Sequence, residues 1–280
     1  MFSRTAAAPT DQQVVSPPSD TVQSLRFSPV PHSQSSICLL AGSWDATARL
    51  WEVNHMGQSN ALLQQTVEAP VLDVNYKADG TAGFIACADN TVKMWDFQSQ
   101  QVTTVGKHDA PVKTCNWIGH LGVLMTGSWD RTIKFWDTRS PQPMAQFALS
   151  ERVYSADVRE NYGAVATADN KVHVFDLSQN PQQKGVVDTT LKMQTRCIRC
   201  FPKKDGFAAG SIEGRCAIVY TEPPRQAETF SFKCHRETGK IYTVNAIAFH
   251  PQGHSKAQGV SSTIMIHTIN ADKDVRPPRK

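Results

Sequence analysis

The sequence predicts an all-β fold built as a propeller, and three observations carry the prediction. A short pattern, a small-residue pair followed by an Asp turn, an alternating strand and a closing aromatic, recurs through the chain. The closing aromatics Trp51, Trp95, Trp136, Phe175 and Tyr220 stand 44, 41, 39 and 45 residues apart. A further short strand precedes every copy. A period of about 40–45 residues ending in Trp-Asp is the signature of four-stranded propeller blades.

The elements follow in order. Blade one reads Gly42-Ser43-Trp44-Asp45 and closes at Trp51; blade three repeats it as Gly127-Ser128-Trp129-Asp130, closing at Trp136. Between them lies Ala86-Cys87-Ala88-Asp89-Asn90, closing at Trp95. Blade four is Ala166-Thr167-Ala168-Asp169-Asn170, and blade five is the more degenerate Gly210-Ser211-Ile212-Glu213-Gly214. In each, Asp or its substitute with a small or polar neighbour suits a tight turn. The strand after the turn alternates, Ile133 and Phe135 on one side, Lys134 and Trp136 on the other. The preceding strands begin at Ser24, Val71, Val112, Val153 and Cys197. A sixth set begins over 241–251, but nothing in 252–280 offers another turn or Trp-Asp ending. The pattern therefore reads as five blades plus part of a sixth, a seven-bladed ring cut short, with a reduced sixth blade completed by 252–280 as the alternative. The expected organisation is a disordered Pro-rich lead-in over 1–20, the propeller over 21–251 and a divergent basic tail over 252–280.

Composition narrows the function classes. The 280 residues are 40% hydrophobic and 19% charged, with a net charge of +4, values of a globular protein with a sizeable core. No apolar run approaches the ~18 residues of a spanning helix, so no membrane partner is expected. Residues 1–13 lack the apolar stretch of a secretory signal. The seven scattered cysteines read as reduced thiols. Cys197 and Cys200 form a C-x-x-C, but positions i and i+3 of a strand face opposite ways, so no metal site is expected there. There is no phosphate-binding glycine loop, nucleophile elbow or carboxylate pair, so neither enzyme activity nor a cofactor is expected.

In blade three His108, Ser128, Asp130 and Trp136 are expected to form a buried hydrogen-bonded tetrad tying loop, strands and turn together. Blade two lacks it: Val67 stands where blade three has His108, and Cys87 where it has Ser128. Trp136-Asp137-Thr138-Arg139 matches the WDxR ending of propellers that dock on a cullin-ring ubiquitin ligase adaptor, so Trp136, Asp137 and Arg139 are candidates for that contact.

Across residues 13–251 the chain resembles the mRNA export factor family of WD-repeat (WD40) proteins. The segments that carry the resemblance include Leu40–Trp44, Ala69–Val74, Lys93–Asp96, His108–Thr114, Met125–Arg139, Glu151–Val158, Gly210–Arg215 and Phe230–Arg236. The spindle-checkpoint WD-repeat protein is the sister family and shares the motifs of blades three and five. The resemblance implies a non-enzymatic scaffold in the nucleus, at the nuclear pore and envelope, and also in the cytoplasm. It implies binding of a nucleoporin's partly acidic GLEBS segment and of mRNA or ribonucleoprotein, the latter without base specificity. Substrate reception for a ubiquitin ligase and mitotic checkpoint adaptation remain the alternatives. Arg196 and Arg215 lie at family motif positions, and an Arg fork grips a carboxylate bidentately. Trp44 and Trp129 sit in the inter-strand turns, where an exposed aromatic flanked by polar residues makes an interface anchor.

Overall fold

The computed structural model describes residues 12–249 and the backbone of the strands Ser255–Gln258 and Met265–Ile266. Five four-stranded antiparallel sheets follow one another along the chain, each with its strands in sequence order. Their inner strands are Val22–Ser33, Val71–Tyr76, Val112–Ile118, Val153–Arg159 and Thr195–Cys200. From blade one to blade five each packs on the inner strand of the next, and all five, with residues 245–247, line one axial cavity.

The repeat is a turn device. At the end of the second strand the chain reverses through a left-handed residue, Ala46, Asn90, Arg131, Asn170 or Gly214. In blades one to three the Asp before it accepts two hydrogen bonds from the Thr after it, as Asp130 Oδ1 does from Thr132 N–H at 2.9 Å and Thr132 Oγ1 at 2.7 Å. Each inner strand also carries a bulge at its second residue, leaving Gln23, Leu72, Lys113, Tyr154 and Arg196 out of register. A bulge bends the strand and re-aims a side chain. All five residues line the axial cavity.

Apolar side chains fill the spaces between blades, so each core between blades belongs to two sheets. Phe84 and Val92 of blade two pack with Val112, Leu124 and Trp136 of blade three, and Phe135 of blade three packs with Val165 and Phe175 of blade four. Polar ties join the inner strands: Ser24 Oγ donates to Asp73 Oδ1 at 2.6 Å, and Cys115 N–H donates to Asp73 Oδ2 at 3.1 Å. Between blades four and five, Asp157 accepts from Cys200 N–H at 2.8 Å and pairs with Arg199 at 3.2 Å.

The expectation of a truncated seven-bladed ring is overturned: the described residues form a ring of five four-stranded sheets. Among the described residues the sixth set contributes a two-stranded ladder, Ala246–Phe249 with Ser255–Gln258. Single segments cover the outer faces of the end blades. Val244 and Ile247 pack on Cys197, Ala208 and Cys216 of blade five. Val14 is buried on Leu39, Ala41, Trp51 and Val53 of blade one, and Val15 carbonyl accepts Trp51 Nε1 at 2.7 Å. Of the lead-in expected to be disordered over 1–20, residues 1–11 lie outside the described residues, while residues 12–20 lie against blade one. Gln12–Gln13 pairs with Met265–Ile266. The rest of the tail expected over 252–280 lies outside the described residues.

Blade three holds the polar network, with one member corrected. His108 Nδ1 lies 2.8 Å from Asp130 Oδ2, and its Nε2 lies 2.8 Å from Thr126 Oγ1, which also accepts Trp136 Nε1 at 2.8 Å. The carboxylate accepts only, so Nδ1 carries the proton and Nε2 accepts the Thr126 hydroxyl. Thr126 thus fills the place expected for Ser128. Ser128 instead donates to the Ala110 and Pro111 carbonyls and accepts the Asp130 N–H, fixing the turn. In blade two Val67 packs with Trp95, whose Nε1 is buried without a partner. Trp136→Phe and Trp95→Phe vacate the same volume, but only the first breaks a hydrogen bond, that of the indole N–H to Thr126 Oγ1. Trp136→Phe is expected to cost about 1–2 kcal/mol more, read as a lower urea midpoint. Equal midpoints for the two variants would refute the network.

Candidate functional site

All five turns after the second strand open on the same end of the ring, because each second strand ends opposite the start of its inner strand (Val22 with Ser43, Val112 with Ser128, Thr195 with Ser211). In each turn the first residue's N–H bonds the carbonyl just before the inner strand, as Trp44 N–H does to Thr21 O at 2.9 Å and Trp129 N–H to Pro111 O at 3.1 Å. Five equivalent positions result: Trp44, Ala88, Trp129, Ala168 and Ile212. Large and small residues alternate around the face. Trp44, Trp129 and Ile212 are exposed at 43%, 36% and 36%.

The sequence reading of Trp44 and Trp129 as turn residues holding aromatic surface towards solvent agrees with this geometry. Trp44 is steadied by its Nε1, which donates to Gln23 Oε1 at 3.1 Å. Ile212 escaped the sequence reading because its turn, Ser-Ile-Glu-Gly, has lost both Trp and Asp. Its signal was position: it follows Ser211 as Trp129 follows Ser128.

The two arginines stand on different strands of blade five, and Arg196, not Arg215, lines the axial cavity. Arg215 opens the third strand of blade five, with its Nε 3.8 Å from Glu213. Arg196 is the bulge residue of the blade-five inner strand and lines the axial cavity. It shares that wall with Lys113, the equivalent bulge residue of blade three, which sequence reasoning passed over because dispersed lysines carry no pattern along the chain. The face therefore presents a basic centre within a discontinuous apolar ring.

The WDxR candidate lies in the opposite turns. Trp136 is buried in the polar network. The Arg139 fork is closed on Asp137, with Nε to Oδ1 at 2.8 Å and Nη2 to Oδ2 at 2.6 Å. That pairing, with the Arg139 N–H, holds the Asp137 carboxyl down at about 2. Asp96 and Asp176 cap the same turn in blades two and four by accepting from Ser99 and Ser178. Asp137 and Arg139 thus do the turn-capping work that other blades assign to Asp and Ser.

Cys197 and Cys200 point into different cores, one packed with Val244 and Ile247, the other with Ala164 and Ile198. Burial pushes both thiols up, Cys197 to about 11. Among the described residues no group of three His, Cys, Asp or Glu is placed to hold a metal ion.

Comparison with known proteins places this architecture. The family described as "WD domain, G-beta repeat" matches residues 11–52, 61–96 and 99–137, which are blades one to three. The chain is 46% identical over 252 residues to Protein Rae1 of Drosophila melanogaster, covering 86% of this chain and 72% of that one. The chain belongs to the mRNA export factor family of WD-repeat proteins. The mRNA export factor rae-1 of Caenorhabditis elegans is 43% identical over 251 residues, covering 84% of this chain and 67% of its own. The mRNA export factor GLE2 of Chaetomium thermophilum is 41% identical over 249 residues, covering 86% and 70%. Among export factors, this chain's five four-stranded blades set the surface on which any shared function acts.

Proposed function

We propose that this protein acts as a non-enzymatic scaffold in mRNA export, docking the GLEBS segment of a nucleoporin at the nuclear pore. The observation that carries the reading is the face of aligned turns, with Trp44, Trp129 and Ile212 exposed around a basic centre. Exposed aromatics held by backbone and side-chain bonds lose little freedom on binding, so they anchor a peptide at low cost. Arg215 and Arg196 supply guanidinium forks for the acidic part of such a segment. Export-factor names among the relatives and the family's scaffold architecture support the assignment. Ribonucleoprotein is then held through the docked nucleoporin and through nonspecific, salt-sensitive contacts of dispersed lysines and arginines with phosphates.

The test is binding of a GLEBS peptide measured by titration calorimetry. Trp44→Ala with Trp129→Ala is expected to weaken binding at least about tenfold, with the melting temperature within a degree or two of the parent. Undiminished binding by the double variant would remove the face from consideration.

A further inference from the structure

The axial cavity, about 400 Å³, collects more positive charge than the ring needs to hold itself together. Arg26, Lys113, Arg196 and Arg199 all line it. Two carboxylates answer them, and both are engaged. Asp73 accepts from Ser24 and Cys115 N–H and lies 3.8 Å from Arg26; Asp157 accepts from Cys200 N–H and pairs with Arg199.

Lys113 and Arg196 have no carboxylate within ion-pair distance among the described residues. Lys113 reaches only the Leu72 carbonyl, at 3.4 Å. The two enter the cavity from equivalent bulges of different blades. Burial, aided by the charges of Arg196 and Arg26 and opposed by Asp73, pulls the Lys113 ammonium down to about 8. Like charges held together without a counter-charge cost free energy, and an anion between them recovers it. The remaining bulge residues, Gln23, Leu72 and Tyr154, add a hydrogen-bonding amide, an aliphatic wall and a phenol ring.

We infer that this axial cavity is a binding site for a small phosphate-bearing anion, held between Lys113 and Arg196 with Arg26 and Arg199 deeper in the channel. The volume suits a compact molecule carrying one to a few phosphates. Each inner strand is the edge of its own sheet, and three of its axis-side N–H groups, those of Cys115, Ile198 and Cys200, are already taken by Asp73, Ser155 and Asp157 of neighbouring blades. Phosphate concentrates charge in a compact head that lysine and arginine contact together. The site shares Arg196 with the proposed peptide face, whereas Trp44 and Trp129 belong to the peptide face alone.

The experiment uses the full chain at low salt with inorganic pyrophosphate and inositol hexakisphosphate as probes, and sulfate and citrate as anions without phosphorus. Calorimetric titration is read beside thermal melting. Saturating phosphate probe is expected to raise the melting temperature by about 5 °C at 100-fold over Kd. Lys113→Met is expected to weaken binding at least about tenfold and to melt no lower than the parent without anion, because it removes a half-buried cation with no carboxylate partner. Arg196→Gln is expected to weaken binding likewise. Trp44→Ala with Trp129→Ala should keep the full anion response while weakening peptide binding, so failure of the peptide reading and failure of the anion site show separately. No shift with either probe, an unchanged affinity in Lys113→Met, or equal stabilisation by sulfate and citrate would overturn the proposal.

Discussion

Thr126→Val is expected to lower the stability of this protein by about 3 kcal/mol, more than any other change of similar size in blade three. The hydroxyl sits between two buried rings. It accepts Trp136 Nε1 and serves His108 Nε2, each at 2.8 Å. Valine keeps the shape and removes both bonds, leaving a buried indole N–H and a buried imidazole nitrogen without partners. An unsatisfied buried polar group costs about 1–3 kcal/mol. Thermal unfolding should move down by roughly 5–10 °C. Ser128→Ala is the control: it loses turn contacts to Ala110, Pro111 and Asp130 but leaves the rings paired. A larger loss in Ser128→Ala than in Thr126→Val would contradict the network. The same network predicts an acid limb. Burial pushes the Asp130 carboxyl up, but hydrogen bonds from His108, Thr132 and the Asp109 N–H outweigh it and hold it well below its ordinary value. The unfolded carboxyl titrates near 3.9, so the folded state binds fewer protons in that range. This stabilisation is therefore complete above about pH 5 and is lost as pH falls below about 4. The loss should be smaller in Asp130→Asn, read from urea midpoints across that range.

Asp73→Ala is expected to cost a similar amount, about 3 kcal/mol, for a different reason. Asp73 is buried where the inner strands of blades one, two and three converge. It accepts from Ser24 of blade one at 2.6 Å and from the Cys115 N–H of blade three at 3.1 Å, and faces Arg26 at 3.8 Å. Alanine strands a hydroxyl, a backbone N–H and a guanidinium in the channel wall at once. Asp73→Asn keeps both hydrogen-bonding positions and should cost only about 1 kcal/mol. Hydrogen exchange gives the sharper readout: the Cys115 amide should lose protection in Asp73→Ala, while amides of blade four keep theirs. Uniform loss across all blades would show that Asp73 is not a local tie.

The individual blade was legible because its signals are local. The Asp turn, the left-handed residue after it and the closing aromatic fall within about ten residues, and each follows from turn geometry or strand alternation. Trp44 and Trp129 could be placed outside the core for the same reason. The tetrad was legible only in part. Thr126 and Ser128 are two apart on one strand and face the same way, so alternation could not choose between them. Their different partners, two rings for one and two carbonyls for the other, depend on where the preceding loop returns.

The sequence alone determined that this chain makes a run of four-stranded blades, because the repeat fixes each blade through contacts close along the chain. Tertiary structure decided how many blades form the ring, what covers the end faces and which residues meet on the axis. Those outcomes depend on the angle between packed sheets and on segments tens of residues apart coming together, such as Val14 on Trp51 and Lys113 and Arg196 lining one cavity. No periodic pattern along the chain encodes them, because each arises only where separate blades converge.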